Sequence, residues 1–190
     1  MPGKKTVPQI TPRIPPLAPE EFTAEQAELV GAWSHLVFSR VLARRPDMYR
    51  IFVPFIEKVI ADTRLPPRDR QIVVLRTLAL AGETYELHHH RVISGNAGMS
   101  EVEIEAAVTG TGLTGFDRTL ADAAEQLLRS QAIDDATWAA LGERYGEEQL
   151  MEVVFLGGCY ATMAMLTKSF AMPLEGDEEK ARINALRQYT

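Results

Sequence analysis

From Thr23 to Met172, apolar residues recur every three or four positions, the spacing of amphipathic helices, and no stretch alternates as a strand does. The segment AEQAELVGAWSHLVFSRVLARR puts Leu29, Trp33, Leu36, Val37 and Val41 at helical spacing. Thr23 and Gln26 open it with the spacing of a capping box. Pro46 suits the first turn of a second helix, PDMYRIFVPFIEKVIAD, which Pro54 is expected to kink or break. A third helix starts at Pro66-Pro67 and runs through RDRQIVVLRTLALAG, with Arg68, Arg70 and Arg76 interrupting its apolar run. Gly82 or Glu83 allows a break before a histidine-bearing helix that ends at Gly98. Ser100 and Glu103 form a second capping box, before VEIEAAV. Three more helices fit FDRTLADAAEQLLRSQ, the Asp-capped DDATWAALGERY, and EEQLMEVVFLGGCYATMAMLTKSFAM, which Pro173 stops.

The pattern predicts an all-α chain with one domain. Its helical body spans residues 23–173, behind a Pro-rich arm at 1–22 and ahead of a charged tail at 174–190 that is expected to fray. Pro2, Pro8, Pro12, Pro15, Pro16 and Pro19 exclude a regular helix from the arm. It is expected to lie extended along the domain or a neighbouring subunit, or to be disordered. The net charge of −6 and the lack of a long Lys/Arg block argue against a nucleic-acid partner. The start of the chain has no signal-peptide core, and Gly157-Gly158 and Lys168 interrupt the best candidate for a membrane span. The expectation is a cytoplasmic protein with no membrane partner. Cys159 is the single cysteine, so no intrachain disulfide can form. Its place in the apolar FLGGCYATM predicts burial and a poorly reactive thiol.

The chemistry concentrates in GETYELHHHRVISGNAGMS, which holds His88, His89 and His90. Successive helical residues are turned by about 100°, so the three cannot face one site. Glu86 and His90, four apart, share a face, and His88 and His89 are expected at the surface or an interface. A carboxylate beside an imidazole raises its basicity, and such a pair in a dry pocket can move protons near neutral pH. The same spacing on an exposed helix only adds a weak attraction. No metal set is expected, because the fourth histidine, His35, sits in another helix among apolar residues and reads as a hydrogen-bonded core residue. TGTGLTG at 109–115 is a loop without the Lys-Ser/Thr of a phosphate-binding loop.

Arg68 and Arg70, the VVLRTLAL run, Tyr85-Glu86 with His90, Gly98-Met99-Ser100 and the acidic helix start at Glu101 together resemble the carboxymuconolactone decarboxylase family, which includes the AhpD-like alkylhydroperoxidases. The resemblance covers most of residues 30–172. It implies an AhpD-like orthogonal helical bundle and a homo-oligomer, commonly a trimer or hexamer. It places the active site at Glu86 and His90, with Tyr85 and Tyr160 as substrate-binding residues. Two departures stand out. Peroxidase members carry Cys-x-x-Cys on the histidine helix, and this chain has none. Where related chains often have histidine before the tyrosine of the last helix, this one has Cys159-Tyr160.

The functional expectation is a cofactor-free decarboxylase, isomerase or lyase acting on a small carboxylate- or carbonyl-bearing molecule. His90 would donate the proton, Glu86 would orient it, and Arg70 would hold the anion. The competing expectations are a thiol or peroxide oxidoreductase relying on Cys159, and a non-catalytic oligomeric ligand-binding protein of the same fold.

Overall fold

In the computed structural model of the chain, residues 11–176 are described, and among them the regular structure is helical throughout. Helix α1 (Ala24–Val30) begins at the expected capping box: Gln26 N donates to Thr23 Oγ1 (3.2 Å) and Thr23 N to Gln26 Oε1 (2.9 Å). It does not continue to Arg45 as one rod. Gly31 takes φ 48°, ψ −125°, a conformation nearly closed to residues with a Cβ, and starts a 3-10 helix over Gly31–His35. Leu36 is extended, and α2 (Val37–Leu42) follows. Residue spacing carries no record of this break because the apolar positions on both sides face the same core.

Helix α3 (Pro46–Ile60) has Pro46 in its first turn and runs unbroken through Pro54, contrary to the expected interruption. Pro54 and Arg50 both lie on the exposed side. The hydrogen bond Pro54 cannot make is therefore lost where solvent can replace it.

The centre of the fold is α4 (Pro67–Leu80), packed against α5 (Tyr85–Asn96), α6 (Glu101–Thr109), α7 (Gly115–Ser130) and α9 (Glu147–Phe170). Helix α8 (Asp135–Gly142) packs on α7 and α9. Ile72, Val73, Val74 and Leu75 are all fully buried, so α4 has no solvent stripe. Its polar residues must then find partners inside the protein. Asp69 accepts from the Tyr145 hydroxyl at 2.7 Å, Arg76 binds Glu125 and the Val108 carbonyl, and Gln71 reaches His90. The histidine helix stops at Asn96, with Gly98 at φ 86° just beyond it. Both predicted caps further on are present: Ser100 with Glu103, and Asp134 accepting from Thr137 N.

The described part of the arm lies along its own domain. Arg13 N donates to the Phe170 carbonyl, Leu17 N to that of Arg40, and Leu17 is buried in the core. Residues 1–10 fall outside the described residues, as do 177–190 of the tail. Within the described part of the tail, Glu175 is buried and Leu174 is exposed. Helix α9 departs from expectation in another way. Its glycines and Lys168 notwithstanding, it is long and apolar enough to cross a membrane, while half of its most apolar window is buried within the domain.

Candidate functional site

The turn between α4 and α5 fixes the site. Gly82 (φ 61°) reverses the chain, and Glu83, 1% exposed, caps α5 from within. One carboxylate oxygen of Glu83 accepts from Glu86 N (2.8 Å) and Leu87 N (3.1 Å). The other accepts from Tyr85 N (2.7 Å) and from the Thr167 hydroxyl on α9 (2.9 Å). These bonds satisfy the free amides of the first turn of α5 and place negative charge at its positive end. They also set the rotation of α5, which turns Tyr85, Glu86, His89 and His90 inward.

Those four side chains meet Arg70 and Gln71 of α4 and Tyr160 of α9 around a cavity of about 140 Å³. The 3-10 helix, α2 and α3, with Ile93 of α5 and Met163 of α9, supply the rest of the wall, which is apolar apart from Ser39 and Glu57. Every residue assigned to the site from sequence (Arg70, Tyr85, Glu86, His90 and Tyr160) lines this one cavity.

Their connections differ from the expected ones. His90 Nδ1 is 2.8 Å from Gln71 Oε1, an oxygen that can only accept, so Nδ1 carries the proton. Nε2 then accepts from the Tyr160 hydroxyl at 2.8 Å. Both ring nitrogens are thereby used, and it is Gln71 that orients His90. Burial, helped by the positive charges of His89 and Arg70, lowers the His90 pKa to about 3. The imidazole stays neutral at ordinary pH.

Glu86 is the group left open to the cavity. Its carboxyl accepts no hydrogen bond from the described residues, although Glu86 is only 7% exposed. Burial and the nearby carboxylates Glu83 and Glu175 raise its pKa to about 7, with His89 pulling the other way. A carboxylic acid in this state is poised to give or take a proton near neutrality.

His89 corrects a second expectation, for it is buried and lines the cavity. Burial alone would lower its pKa. The hydrogen bond to Glu175 (2.8 Å) and the charge of Glu86 outweigh burial, and the net shift is upward. Glu175 comes from the segment after α9 and also accepts from the Tyr85 hydroxyl and from Val37 N (2.9 Å). Tyr85 in turn donates no second bond into the cavity, since its one hydroxyl proton goes to Glu175. His88 is exposed, and His35 is half-buried with Nδ1 at 2.8 Å from the Ala32 carbonyl. Gln71, His89 and Glu175 were missed by sequence reasoning. Of these, only His89 had a signal, its place in the cluster.

Cys159 is 1% exposed, and burial together with the charge of Glu86 pushes its thiol up to about 12. Among the described residues no three His, Cys, Asp or Glu side chains converge as metal ligands do.

Residues 46–129 match the model of the Carboxymuconolactone decarboxylase family. Over that stretch the chain is similar to the family. The matched region runs from the first turn of α3 to the end of α7, taking in Arg70, Gln71, Tyr85, Glu86, His89 and His90. The AhpD-like fold is seen directly in solved structures. An uncharacterised peroxidase-related protein from Ralstonia eutropha JMP134, described as an alkylhydroperoxidase AhpD core, superposes with TM-score 0.76 at 17% identity, covering 88% of this chain and 94% of its own. An uncharacterised peroxidase-related protein from Silicibacter sp. TM1040 gives TM-score 0.64 at 14% identity over 76% of this chain and 80% of its own. A protein of unknown function from Agrobacterium tumefaciens gives 0.63 at 18% identity over 72% and 96%. At these identities the likeness is one of fold. No curated protein is matched by the sequence.

Proposed function

We propose that the chain is a cofactor-free enzyme that moves a proton on a small carbonyl- or carboxylate-bearing molecule, by decarboxylation, isomerisation or elimination. The observation that carries this reading is the Glu86 carboxyl: buried, without a protein hydrogen bond among the described residues, and titrating at about 7 at the wall of a cavity. Glu86 serves as the acid–base, taking a proton from a carbon next to a carbonyl and returning it one or more bonds away. Arg70 offers positive charge to the oxygen on which the resulting enolate develops. Tyr160, its hydroxyl proton directed to His90, presents the lone pairs of a hydroxyl that burial and the charge of Glu86 keep neutral.

Deuterium uptake tests the assignment. Cyclic enones and β-keto acids incubated with the protein in D₂O are followed by proton NMR. At least one is expected to exchange a carbon-bound proton far above the buffer rate, and Glu86→Gln to lower that rate by about a hundredfold. His88→Gln, on the exposed side, should leave it unchanged. Undiminished exchange in Glu86→Gln, or none with any compound, would reject the proposal.

A peroxidase is the second reading, favoured by the descriptions of two of the structural neighbours. Against it stand the single cysteine and the setting of Cys159, where a thiolate is strongly disfavoured. Turnover of an organic hydroperoxide that disappears in Cys159→Ser would favour this reading over the first.

A further inference from the structure

Of the three neighbouring histidines, only His89 both lines the cavity and keeps a ring nitrogen in reserve. His88 is exposed, and His90 spends both nitrogens on Gln71 and Tyr160. His89 spends one: its Nε2 lies 2.8 Å from Glu175 Oε2. Glu175 also accepts from the Tyr85 hydroxyl and from Val37 N, so its carboxylate is held as an acceptor and Nε2 carries the proton. The Tyr85 ring stands edge-on to the imidazole at 4.7 Å and fixes its plane. Nδ1 makes no hydrogen bond among the described residues, and it is not sealed off from small molecules. It is the one place on this ring where a proton can be added or withdrawn.

Glu86 stands three residues before His89 on α5, a spacing that sets their Cβ atoms about 5–6 Å apart. Burial raises the Glu86 pKa to about 7, and the charge of His89 opposes it. Burial lowers the His89 pKa, and Glu175 with Glu86 overcomes it, so that the imidazole titrates above its ordinary value. Near neutrality a carboxylate and an imidazolium therefore sit side by side on the wall. In a ketone, the hydrogen on the carbon next to the carbonyl and the carbonyl oxygen lie close enough for one small molecule to touch both.

We propose that His89 is a second catalytic residue, whose Nδ1–H meets the carbonyl oxygen of an enolisable ketone while Glu86 meets its α-hydrogen. This rests on the proton-transfer reading of Glu86 and adds the acid that works with it. The C–H bond breaks, and its electron pair becomes the new C=C bond. The carbonyl π pair takes the proton from Nδ1. Glu86 ends as the acid, His89 as the neutral imidazole, and the ketone as a neutral enol. The return steps reverse these transfers, with Glu86 delivering its proton to the same carbon or to another along the conjugated chain.

The groups facing His89 are Glu83 and Glu86 at the start of α5, Glu175 beyond α9, Arg70 on α4, Glu57 on α3 and Tyr160 on α9. His90 at about 3 and Cys159 at about 12 titrate far from neutrality, and burial holds the Tyr85 and Tyr160 hydroxyls well above their ordinary range. Exchange of cyclohex-2-enone in D₂O should accordingly rise with pH as Glu86 ionises and fall again as His89 loses its proton.

His89→Gln is expected to slow exchange about a hundredfold and to abolish the alkaline fall. It should also move the acid limb to higher pH, because Glu86 loses the neighbouring positive charge. Glu175→Gln should keep the alkaline fall but start it at lower pH. An alkaline fall that persists unchanged in His89→Gln, or an undiminished rate, would overturn the inference and leave Glu86 as sole acid–base. A measurement on the unaltered protein guards against variants that fold poorly. Nitrogen-15 NMR of the histidine-labelled chain should find neutral His89 protonated on Nε2. Phenol, a stable analogue of an enol, should shift its Nδ1 signal at millimolar concentration. A proton on Nδ1 instead, or an Nδ1 signal unmoved by phenol, would overturn the inference. Where no ketone exchanges, the enzyme reading falls, and the phenol titration alone upholds or overturns the contact at His89.

Discussion

Glu86 and His90 bury opposite preferences four residues apart. Both are neutral in the native state near pH 6.5, and each opposes being charged. For His90 the folded pKa of about 3 lies below the ordinary 6.5, so its contribution to stability is present above 6.5 and is lost as pH falls toward 3. For Glu86 the folded pKa of about 7 lies above 4.5, so its contribution is present below 4.5 and is lost as pH rises through 7. His89, whose pKa is also raised, adds to the loss on the alkaline side. Stability should therefore pass through a maximum between about pH 5 and 7. Glu86→Gln should flatten the alkaline limb, making the variant more stable than the parent at pH 8 by up to about 3 kcal/mol. Denaturant unfolding at pH 5, 6.5 and 8 measures this, and a Glu86→Gln variant that loses as much stability as the parent between pH 6.5 and 8 would contradict it. The sequence pointed to both residues through the E-x-x-x-H spacing. It could not show which of them holds the mobile proton, because that depends on Gln71, nineteen positions upstream, occupying the imidazole.

Among the elements, caps were the most legible features. Thr23, Ser100 and Asp134 each accept from the amide three residues on, an interaction complete within one turn of chain. The break at Gly31 was not legible, since glycine in a helix and glycine ending one look alike without its φ. Gly110 shows how closely one such position can be specified. It ends α6 at φ 72°, and a Cβ there would come within 2.6 Å of the Arg76 guanidinium. That guanidinium is held by Glu125 and the Val108 carbonyl, so it cannot move without breaking bonds between α4, α6 and α7. Gly110→Ala is expected to destabilise by about 2 kcal/mol or more, combining left-handed strain with the displaced arginine. Gly95, inside α5 with open space around its Cβ position, is the control. Gly95→Ala should be neutral or stabilising by up to about 1 kcal/mol. Comparable losses in both variants, read from thermal unfolding, would refute the role given to Arg76.

On the scale of the whole molecule, apolar surface remains after the core is built. Met151, Val154, Phe155 and Met165 are all exposed and lie along one face of α9, and Phe155 meets Phe55 of α3 edge-on. Ile51, on the outer side of α3, is 71% exposed. An exposed apolar face of this kind marks an interaction surface. We expect a homo-oligomer assembled through α9, and light scattering at micromolar concentration should report a multiple of 21.1 kDa. Phe155→Glu combined with Met165→Glu should shift it toward the single-chain mass while far-UV circular dichroism stays helical. A parent protein that scatters as 21.1 kDa would refute this. Helix periodicity exposed the surplus of apolar residues in α9, but not which of them would be left outside.

The bonds to Glu175 span 138 residues to Val37, 90 to Tyr85 and 86 to His89. Synthesis proceeds from the N-terminus at about 5–20 residues per second, so the helices that carry Tyr85 and His89 leave the ribosome several seconds before the carboxylate that joins them. Until it arrives, His89 lacks its counter-charge and the amide of Val37 lacks its acceptor. The interior of the site is thus completed only after α9 has been made. A chain ending at Met172 should still form its helices, with His89 titrating lower than in the full-length protein and the region between α2 and α5 exchanging its amide protons faster. Unaltered exchange at Val37 and Phe38 in that shortened chain would mean that the early helices close the site unaided.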